Sequence, residues 1–181
     1  SALSNHAFVV GFPQFGPGKV GTGFLFGGTN AYSVPSSPSM NVASFTIESW
    51  VKSSATAPQP IAEYGNETGY GTVQFWQNIN PGGSGAPGAL YGFVRGTNGS
   101  YLEISTAAGL VPTNAWVHVA FTMNYSTKTA QLFVNGVPVA YATNQDLAMP
   151  DTAVQFNIGR RPEGMGDLLN GYRFWGSIDE L

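Results

Sequence analysis

The chain of 181 residues has no cysteine. Disulfide bonds, a thiolate nucleophile and zinc–thiolate sites are therefore excluded. Charged residues are also scarce, at 9% of the chain, and the seven Lys and Arg residues form no cluster that could serve as a footprint for nucleic acid. The apolar runs are far shorter than the roughly 20 residues of a membrane-spanning helix, so we expect no membrane insertion.

Residues that favour turns and strands are abundant instead. The chain has 24 Gly and 12 Pro, and 13% of its residues are aromatic. Short runs rich in β-branched and aromatic residues alternate with turn signals, and no segment of helical length shows a 3.6-residue period. This pattern predicts an all-β fold, a two-sheet antiparallel β-sandwich or jelly roll in a single domain. The predicted strands cover residues 23–26, 45–52, 71–77, 90–95, 101–106, 116–124, 130–135, 137–142, 154–159 and 172–181.

Three connections have specific turn chemistry. The dipeptide Asn135-Gly136 lies between two strand-like runs and favours positive φ at both positions, so it predicts a tight hairpin. The dipeptide Asn98-Gly99 predicts a second hairpin. Residues 81–88, with the sequence PGGSGAPG, are predicted to form a long mobile loop.

Several short motifs occur in a recognisable order. Gly-Pro-Gly-Lys-Val-Gly at residues 16–21 precedes Phe-Leu-Phe-Gly-Gly at 24–28, and Phe-x-Gly-x-Ile-Asp-Glu occupies residues 174–180. Between them lie Tyr-Ser-Val-Pro at 32–35, Phe-Thr-Ile-Glu-Ser-Trp-Val at 45–51, Trp-Val-His-Val-Ala-Phe-Thr at 116–122, Leu-Phe-Val-Asn-Gly at 132–136 and Ile-Gly at 158–159. In order and spacing, this series resembles the LamG-like, concanavalin A-like lectin/glucanase jelly-roll family, in the form common in bacterial secreted and surface proteins.

The resemblance implies two curved antiparallel sheets and a role outside the cell. Members of the family mostly act as carbohydrate-binding or adhesion modules, and some hold a calcium ion. We therefore expect a secreted or cell-surface module that binds a glycan or a cell-surface partner without catalysis. An accessory module of a glycoside hydrolase is an alternative that the resemblance leaves open.

The acidic residues do not form a recognisable catalytic pair. Glycoside hydrolysis needs two carboxylates about 5 to 10 Å apart across a cleft. The family's glucanases place them as Glu-x-Asp-x-x-Glu on one strand, and this chain has no such motif. Asp179 and Glu180 are adjacent, so in a strand they point to opposite faces. His118 has no nucleophile or orienting acid near it in sequence. We expect no enzymatic activity.

A calcium site is suggested by the resemblance. In related sandwiches an Asp near the last strand combines with backbone carbonyls of an early glycine turn, which here corresponds to Asp179 with Gly27 and Gly28 as ligands for Ca²⁺. Two departures weaken the correspondence: Gly27 stands where relatives commonly have Asp, and Asn30-Ala31 replaces an acidic pair. The alternative is that Asp179 only accepts hydrogen bonds from a neighbouring turn.

Sugars are bound by exposed aromatic rings beside a few hydrogen-bonding groups. Trp175 is the leading candidate, because it lies on the face opposite the core positions of the last strand. Tyr172 is close to it in sequence. A second group surrounds the glycine-rich stretches, and Tyr91 follows residues 81–88. The predicted ligand-binding residues are Trp175, Tyr172, Tyr64, Tyr70 and Trp76.

Residues 174–181 form an alternating strand pattern that no turn residue closes, and the segment before Gly16 is short. We therefore expect a domain whose terminal strands are both curtailed. Either the sequence is a trimmed piece, or a neighbouring subunit completes the open edge. The second possibility predicts self-association by strand pairing, and with it a structural subunit of an extracellular filament.

Overall fold

Strands make up nearly all the regular structure in the part of the chain that the computed structural model describes, which is residues 5–65, 71–162 and 172–181. Those ranges contain one 3₁₀ turn, Pro38–Met40, and no helix long and apolar enough to span a membrane. The strands are β1 (Phe8–Val10), β2 (Phe15–Pro17), β3 (Thr22–Gly27), β4 (Ala31–Val34), β5 (Phe45–Ser53), β6 (Gln59–Tyr64), β7 (Val73–Ile79), β8 (Gly85–Arg95), β9 (Tyr101–Ser105), β10 (Val117–Asn124), β11 (Thr129–Val134), β12 (Val137–Thr143), β13 (Phe156–Ile158) and β14 (Trp175–Asp179).

The strands form two sheets of seven strands each, and all their pairings are antiparallel. The first, sheet A, has the order β1-β4-β13-β6-β7-β8-β9. The second, sheet B, has the order β12-β11-β10-β5-β14-β3-β2. The predicted all-β architecture of two antiparallel sheets is confirmed. Residues distant in sequence become neighbours: β14 lies between β3 and β5, so it connects the beginning of the chain to its middle.

The core lies between the two sheets and is built by alternation along the strands. In β10, Val117, Val119 and Phe121 are buried, while His118 points to the opposite face. The ring of Phe121 meets that of Phe75 across the sheets, with centroids 5.9 Å apart. Phe174 is also fully buried there. Complete burial of one such side chain contributes about 1.5–3 kcal/mol to folding, so this shared layer holds the sheets together.

The strand prediction has omissions and one error. It missed β1, β2, β4 and β6. Strands β4 and β6 are buried at every position, so they lack the alternation that identifies a strand with one exposed face. The predicted loop at residues 81–88 is wrong in its second half, because β8 already begins at Gly85 and pairs with Ile79 of β7.

Both predicted hairpins are present. Asn135 and Gly136 have φ of +50° and +77°, and they join β11 to β12 as a tight turn. At the second hairpin only Gly99 has positive φ, at +86°. Its connection between β8 and β9 is longer than a two-residue turn and is closed by hydrogen bonds from Gly96 N–H to Ser100 and from Gly99 N–H to Gly96.

Candidate functional site

A second aromatic cluster covers the face of sheet A that points away from the core. Trp76 of β7 and Tyr91 of β8 are cross-strand neighbours in it. Phe93 and Tyr172 pack against them, and Tyr101 of β9 follows at the edge. We call Trp76, Tyr91, Phe93, Tyr101 and Tyr172 the aromatic face. It is separate from the core because residues between its members, such as Phe75 and Val94, point into the sandwich.

One cross-strand row on the same face is polar except for Phe93, which separates its last two polar members. Each member is the direct cross-strand partner of the next, from β4 through β13, β6, β7 and β8 to β9. A row of this kind places carboxylates and amides beside the aromatic rings. Its members are Ser33, Asn157, Glu63, Gln74, Phe93 and Glu103.

Glu63 is the buried charge in this row. Its side chain is completely inaccessible, and Trp76 Nε1–H donates a 2.8 Å hydrogen bond to its Oε2. Arg161 Nε lies 3.4 Å from the other oxygen, Oε1, as an ion pair without hydrogen-bond geometry. Burial raises the pKa of the Glu63 carboxyl to about 7, and the Arg161 charge and the hydrogen bond from Trp76 offset only part of this effect.

Arg161 contacts two aromatic rings as well as the Glu63 carboxyl. Its guanidinium carbon lies 4.5 Å from the Trp76 ring centroid and 5.7 Å from that of Tyr172. The two rings themselves meet edge to face, with centroids 4.9 Å apart. A cation over an aromatic ring is favourable by about 0.5–2 kcal/mol. Glu63, Trp76, Arg161 and Tyr172 therefore form one interlocked group that fixes the buried end of the face.

Tyr91 and Glu103 form the next polar pair. The Tyr91 hydroxyl donates a 2.7 Å hydrogen bond to Glu103 Oε1. Burial, and then the hydrogen bond to Glu103, raise the pKa of Tyr91 above its ordinary value, so the phenol stays protonated as the donor. Glu103 is only partly buried. Part of the Glu103 residue is therefore accessible to solvent.

The accessible end of the face is made by Phe93 and Tyr101. Their rings are stacked, with centroids 5.8 Å and planes 24° apart, and the Tyr101 residue is 57% exposed. Glu103 is the cross-strand partner of Phe93. An exposed ring surface beside a carboxylate has the composition of a surface that stacks on the carbon skeleton of a polyol and accepts hydrogen bonds from its hydroxyls.

The sequence of residues 26–181 matches the model of the concanavalin A-like lectin/glucanases superfamily. The chain belongs to this superfamily. The resemblance seen in the sequence motifs is confirmed. No curated protein matches the sequence significantly.

Solved structures share the concanavalin A-like fold at low sequence identity. Domain 4 of AbnA, an extracellular GH43 arabinanase from Geobacillus stearothermophilus solved with arabinotriose, has 18% identity and a TM-score of 0.64, covering 96% of this chain and 79% of that domain. The CBM40 of the Ruminococcus gnavus IT-sialidase, bound to α2,3 sialyllactose, has 20% identity and a TM-score of 0.56, with coverages of 78% and 75%. The binding domain of botulinum neurotoxin serotype C1 has 14% identity and a TM-score of 0.61, covering 97% of this chain and 38% of the other.

The concanavalin A-like fold distributes the predicted ligand-binding residues over separate places. Trp76 and Tyr172 are in contact on the aromatic face, but Trp76 is only 1% exposed, so it supports the face rather than presenting a ring to solvent. Tyr64 lies in the core against Phe156. The prediction of an exposed ring is therefore wrong for Trp76 and Tyr64. Tyr70 lies outside the described residues.

Trp175 lies on the other sheet, apart from Tyr172. Between the two, Phe174 enters the core, so the chain crosses from the side of sheet A to sheet B. Trp175 is 49% exposed, and its ring covers Gly28 so closely that a Cβ there would overlap with the indole. About half of the residue remains accessible, and the role of Trp175 in ligand binding stays a prediction.

The fold does not bring together the predicted calcium ligands. Trp175 pairs with Gly27, whereas Asp179 lies four residues further along β14, about 13 Å away at about 3.3 Å per residue. Asp179 instead accepts hydrogen bonds from Val20 N–H (2.9 Å) and Glu180 N–H (3.0 Å). The described residues also contain no cluster of three or more acidic, His or Cys side chains suited to a metal ion. These observations fit a structural role in which the Asp179 carboxylate accepts hydrogen bonds from a neighbouring turn. They do not fit a calcium site made by Asp179, Gly27 and Gly28.

Four members of the site were not identified from the sequence: Phe93, Tyr101, Glu103 and Arg161. For the first three a signal existed, because Leu102 and Ile104 alternate with Tyr101 and Glu103, and Val94 follows Phe93. That alternation assigns the aromatic and acidic residues to one face. The position of Arg161 over Trp76 had no such signal, since it depends on a loop contact between segments 85 positions apart.

Proposed function

We propose that this chain is a non-catalytic carbohydrate-binding module that acts outside the cell and uses the aromatic face to hold its ligand. The observation that carries the proposal is the stacked Phe93–Tyr101 pair beside Glu103. The exposed Tyr101 ring offers a platform for a sugar ring, and the carboxylate of Glu103 offers acceptors for its hydroxyls.

The rigid group behind these residues supports a binding role. Glu63, Trp76 and Arg161 are held by a hydrogen bond, an ion pair and a cation–π contact. Side chains that are already fixed lose little freedom when a ligand binds, and this lowers the entropic cost of association. The carboxylate of Glu103 is likewise oriented beforehand by Tyr91.

The burial of Glu63 argues against hydrolysis on this face. Glu63 and Glu103 share the row, but they stand on β6 and β9, with β7 and β8 between them. Three strand spacings place their backbones roughly 14 Å apart. A glycosidase uses two carboxyl groups about 5 to 10 Å apart that face a cleft, whereas Glu63 is completely buried and engaged with Trp76 and Arg161.

The structural relatives lend support at the level of ligand class. The arabinanase domain was solved with arabinotriose, and the sialidase module with sialyllactose, so two relatives of this fold hold oligosaccharides. The arabinanase is described as extracellular, which agrees with the proposed location. The relative with arabinotriose is domain 4 of that glycoside hydrolase. An accessory module of a glycoside hydrolase is therefore a variant of the same proposal.

A screen of the purified chain on an array of neutral and sialylated oligosaccharides tests the proposal. We expect saturable binding to at least one oligosaccharide class and no release of reducing sugar from it. Absence of binding to every class would contradict the binding role, and release of reducing sugar would contradict the non-catalytic role. Calcium binding stays a prediction, and the screen is run with Ca²⁺ and with EDTA.

A second candidate function, self-association, has an observation of its own. The edge strands β1 and β2 and the segments next to them expose large apolar side chains: Phe8 is 48% exposed, Phe12 85%, Phe15 58% and Val20 63%. Unpaired edges with apolar side chains favour strand pairing between molecules. Light scattering after size-exclusion chromatography tests this function. A mass that rises with concentration supports it, and a monomer at every concentration contradicts it.

A further inference from the structure

Arg161 has an anchored backbone and a partly exposed side chain. Its N–H donates a 3.0 Å hydrogen bond to Tyr172 O, and the flanking residue Arg160 forms a β-bridge with Arg173. The guanidinium lies over the Trp76 and Tyr172 rings, the side chain is 21% exposed, and Nε donates no hydrogen bond. A guanidinium has N–H donors arranged in a fork that fits a carboxylate. Arg161 is therefore a partly accessible cation on the aromatic face.

The carboxyl group of Glu63 decides how much of this charge is compensated. Among the described residues it is the carboxyl that forms an ion pair with Arg161, at 3.4 Å from Nε to Oε1 and without hydrogen-bond geometry. Burial raises the pKa of Glu63 to about 7, so its carboxyl is mostly neutral below that pH and mostly charged above it. The charge of Arg161 is thus compensated by Glu63 at alkaline pH and not at acidic pH.

The other described groups around Glu63 keep one charge state near neutral pH. They come from β7, β8, β13 and the segment after β13. The two amides and the indole are uncharged, and the two guanidinium groups stay positive. The phenol stays protonated, because burial raises its pKa. Glu63 is therefore the group whose proton changes the charge at this end of the face. The surrounding residues are Gln74, Trp76, Tyr91, Asn157, Arg160 and Arg161.

The aromatic face holds this cation apart from its accessible carboxylate. Arg161 lies over Trp76 of β7, whereas Glu103 is on β9, two strand spacings or about 10 Å away. Glu103 stands beside the Phe93–Tyr101 pair. An acidic group would meet a like charge at Glu103 and an opposite charge at Arg161. An oligosaccharide with one carboxylate therefore has a preferred orientation, with that group at Arg161 and an uncharged ring on Tyr101.

We propose that the aromatic face binds an acidic oligosaccharide through a carboxylate at Arg161, and that protonation of Glu63 strengthens this binding. This ligand class rests on the proposed carbohydrate-binding function and specifies it. A charged Glu63 competes with the ligand carboxylate for one guanidinium, whereas a neutral Glu63 does not. Coupling between two sites is reciprocal, so binding of the acidic sugar near pH 7 takes up protons. A neutral oligosaccharide gains nothing from the protonation.

Two matched pairs of sugars separate the charge from the carbon skeleton. They are α2,3 sialyllactose with lactose, and trigalacturonate with its methyl ester. Each is titrated calorimetrically into the intact chain at about pH 5.5 and about pH 8, on either side of the Glu63 transition. In at least one pair, we expect the acidic sugar to bind about tenfold or more tightly than its neutral counterpart at the lower pH. Its affinity should fall about three- to tenfold at the higher pH, with proton uptake between.

Three variants assign the effect to residues. Glu63→Gln is neutral at every pH, so it should bind the acidic sugar equally at both pH values and as tightly as the original chain at the lower one. Arg161→Met removes the cation and keeps an apolar side chain beside Trp76, and we expect about tenfold or more weaker binding of the acidic sugar. Arg95→Met is the matched control, because Arg95 is the cross-strand partner of Tyr101 on the same face. It should keep the pH dependence.

The outcomes separate this inference from the proposed function. Equal binding of the acidic and neutral sugars in both pairs, an affinity that does not change with pH, or an unchanged pH dependence in Glu63→Gln would overturn the inference and leave carbohydrate binding intact. Binding of another oligosaccharide and of neither acidic sugar would also overturn it. Absence of binding to every oligosaccharide would contradict the proposed function itself. The pH dependence and the proton uptake are measured on the original chain, so the test does not depend on the folding of a variant.

Discussion

Trp76 Nε1–H donates a 2.8 Å hydrogen bond to the Oε2 atom of Glu63, and both residues are almost completely buried beneath the aromatic face. The indole N–H thus replaces one of the hydrogen bonds that water would make to an exposed carboxyl group. Arg161 contacts both partners, with Nε near Glu63 and the guanidinium over the Trp76 ring. These three residues form the buried part of the aromatic face, whose accessible part is the Phe93–Tyr101 pair.

The buried carboxyl of Glu63 makes the stability of the fold depend on pH. Its pKa is raised from 4.5 to about 7, so ionisation is less favourable in the folded chain than in the unfolded one. The free energy of unfolding is therefore expected to fall as pH rises from about 4.5 to 7, by up to about 3 kcal/mol, and to be level with respect to this group above pH 7. Urea unfolding at several pH values measures the change.

Glu63→Gln is the matched variant for this effect. The glutamine side chain is neutral at every pH and keeps an oxygen acceptor for the Trp76 N–H. We expect the variant to lose the decline between about pH 4.5 and 7. Identical profiles for the variant and the original chain would show that Glu63 is not the group responsible.

Asp179 is expected to stabilise the fold through hydrogen bonds and without a metal ion. It accepts N–H groups from Val20 and Glu180 and is 5% exposed. Asp179→Asn weakens these charge-assisted bonds, and we expect the free energy of unfolding to fall by about 1–3 kcal/mol, equally in Ca²⁺ and in EDTA. Asp146→Asn at an exposed position is the control. A melting temperature that rises with Ca²⁺ in the original chain, and does not in Asp179→Asn, would instead establish the calcium site.

The packing of Trp175 on Gly28 can be measured with a glycine pair. Gly28 and Gly136 have nearly the same φ, +76° and +77°, but a Cβ at Gly28 overlaps with the Trp175 ring while a Cβ at Gly136 meets open space. Gly136→Ala should cost about 1–2 kcal/mol from backbone strain alone, and Gly28→Ala should cost more. Trp175→Ala should remove the additional cost of Gly28→Ala, because only the steric part depends on the ring. Equal costs for the two glycine variants would show that Trp175 is not held against Gly28.

The sequence was most informative where one face of a strand is apolar and the other is not. Alternation in residues 45–52 and 116–124 predicted two strands that now form the centre of sheet B. The dipeptide Asn135-Gly136 predicted its turn for the same local reason, since few residues adopt positive φ at two successive positions. Strand β6 was missed because both of its faces are covered, so its residues show no period.

The candidate site was less predictable because burial on its face depends on contacts across strands and loops. Trp76 looked like an exposed platform in sequence, yet Glu63, Arg161 and Tyr172 surround it. Asp179 and Gly27 belong to recognisable motifs, but the antiparallel register places them at opposite ends of the same ladder. Register and loop packing are properties of the whole sheet and leave little trace in a local motif.

Calorimetric titration of the Tyr101→Ala variant tests the proposed function most directly. The titrant is the oligosaccharide that binds best to the unmodified chain, and Tyr141→Ala is the control, because Tyr141 is an exposed tyrosine (72%) on sheet B. We predict that Tyr101→Ala weakens binding about tenfold or more and that Tyr141→Ala leaves it unchanged. Unchanged binding in Tyr101→Ala together with lost binding in Trp175→Ala would contradict the account and assign the ligand to sheet B.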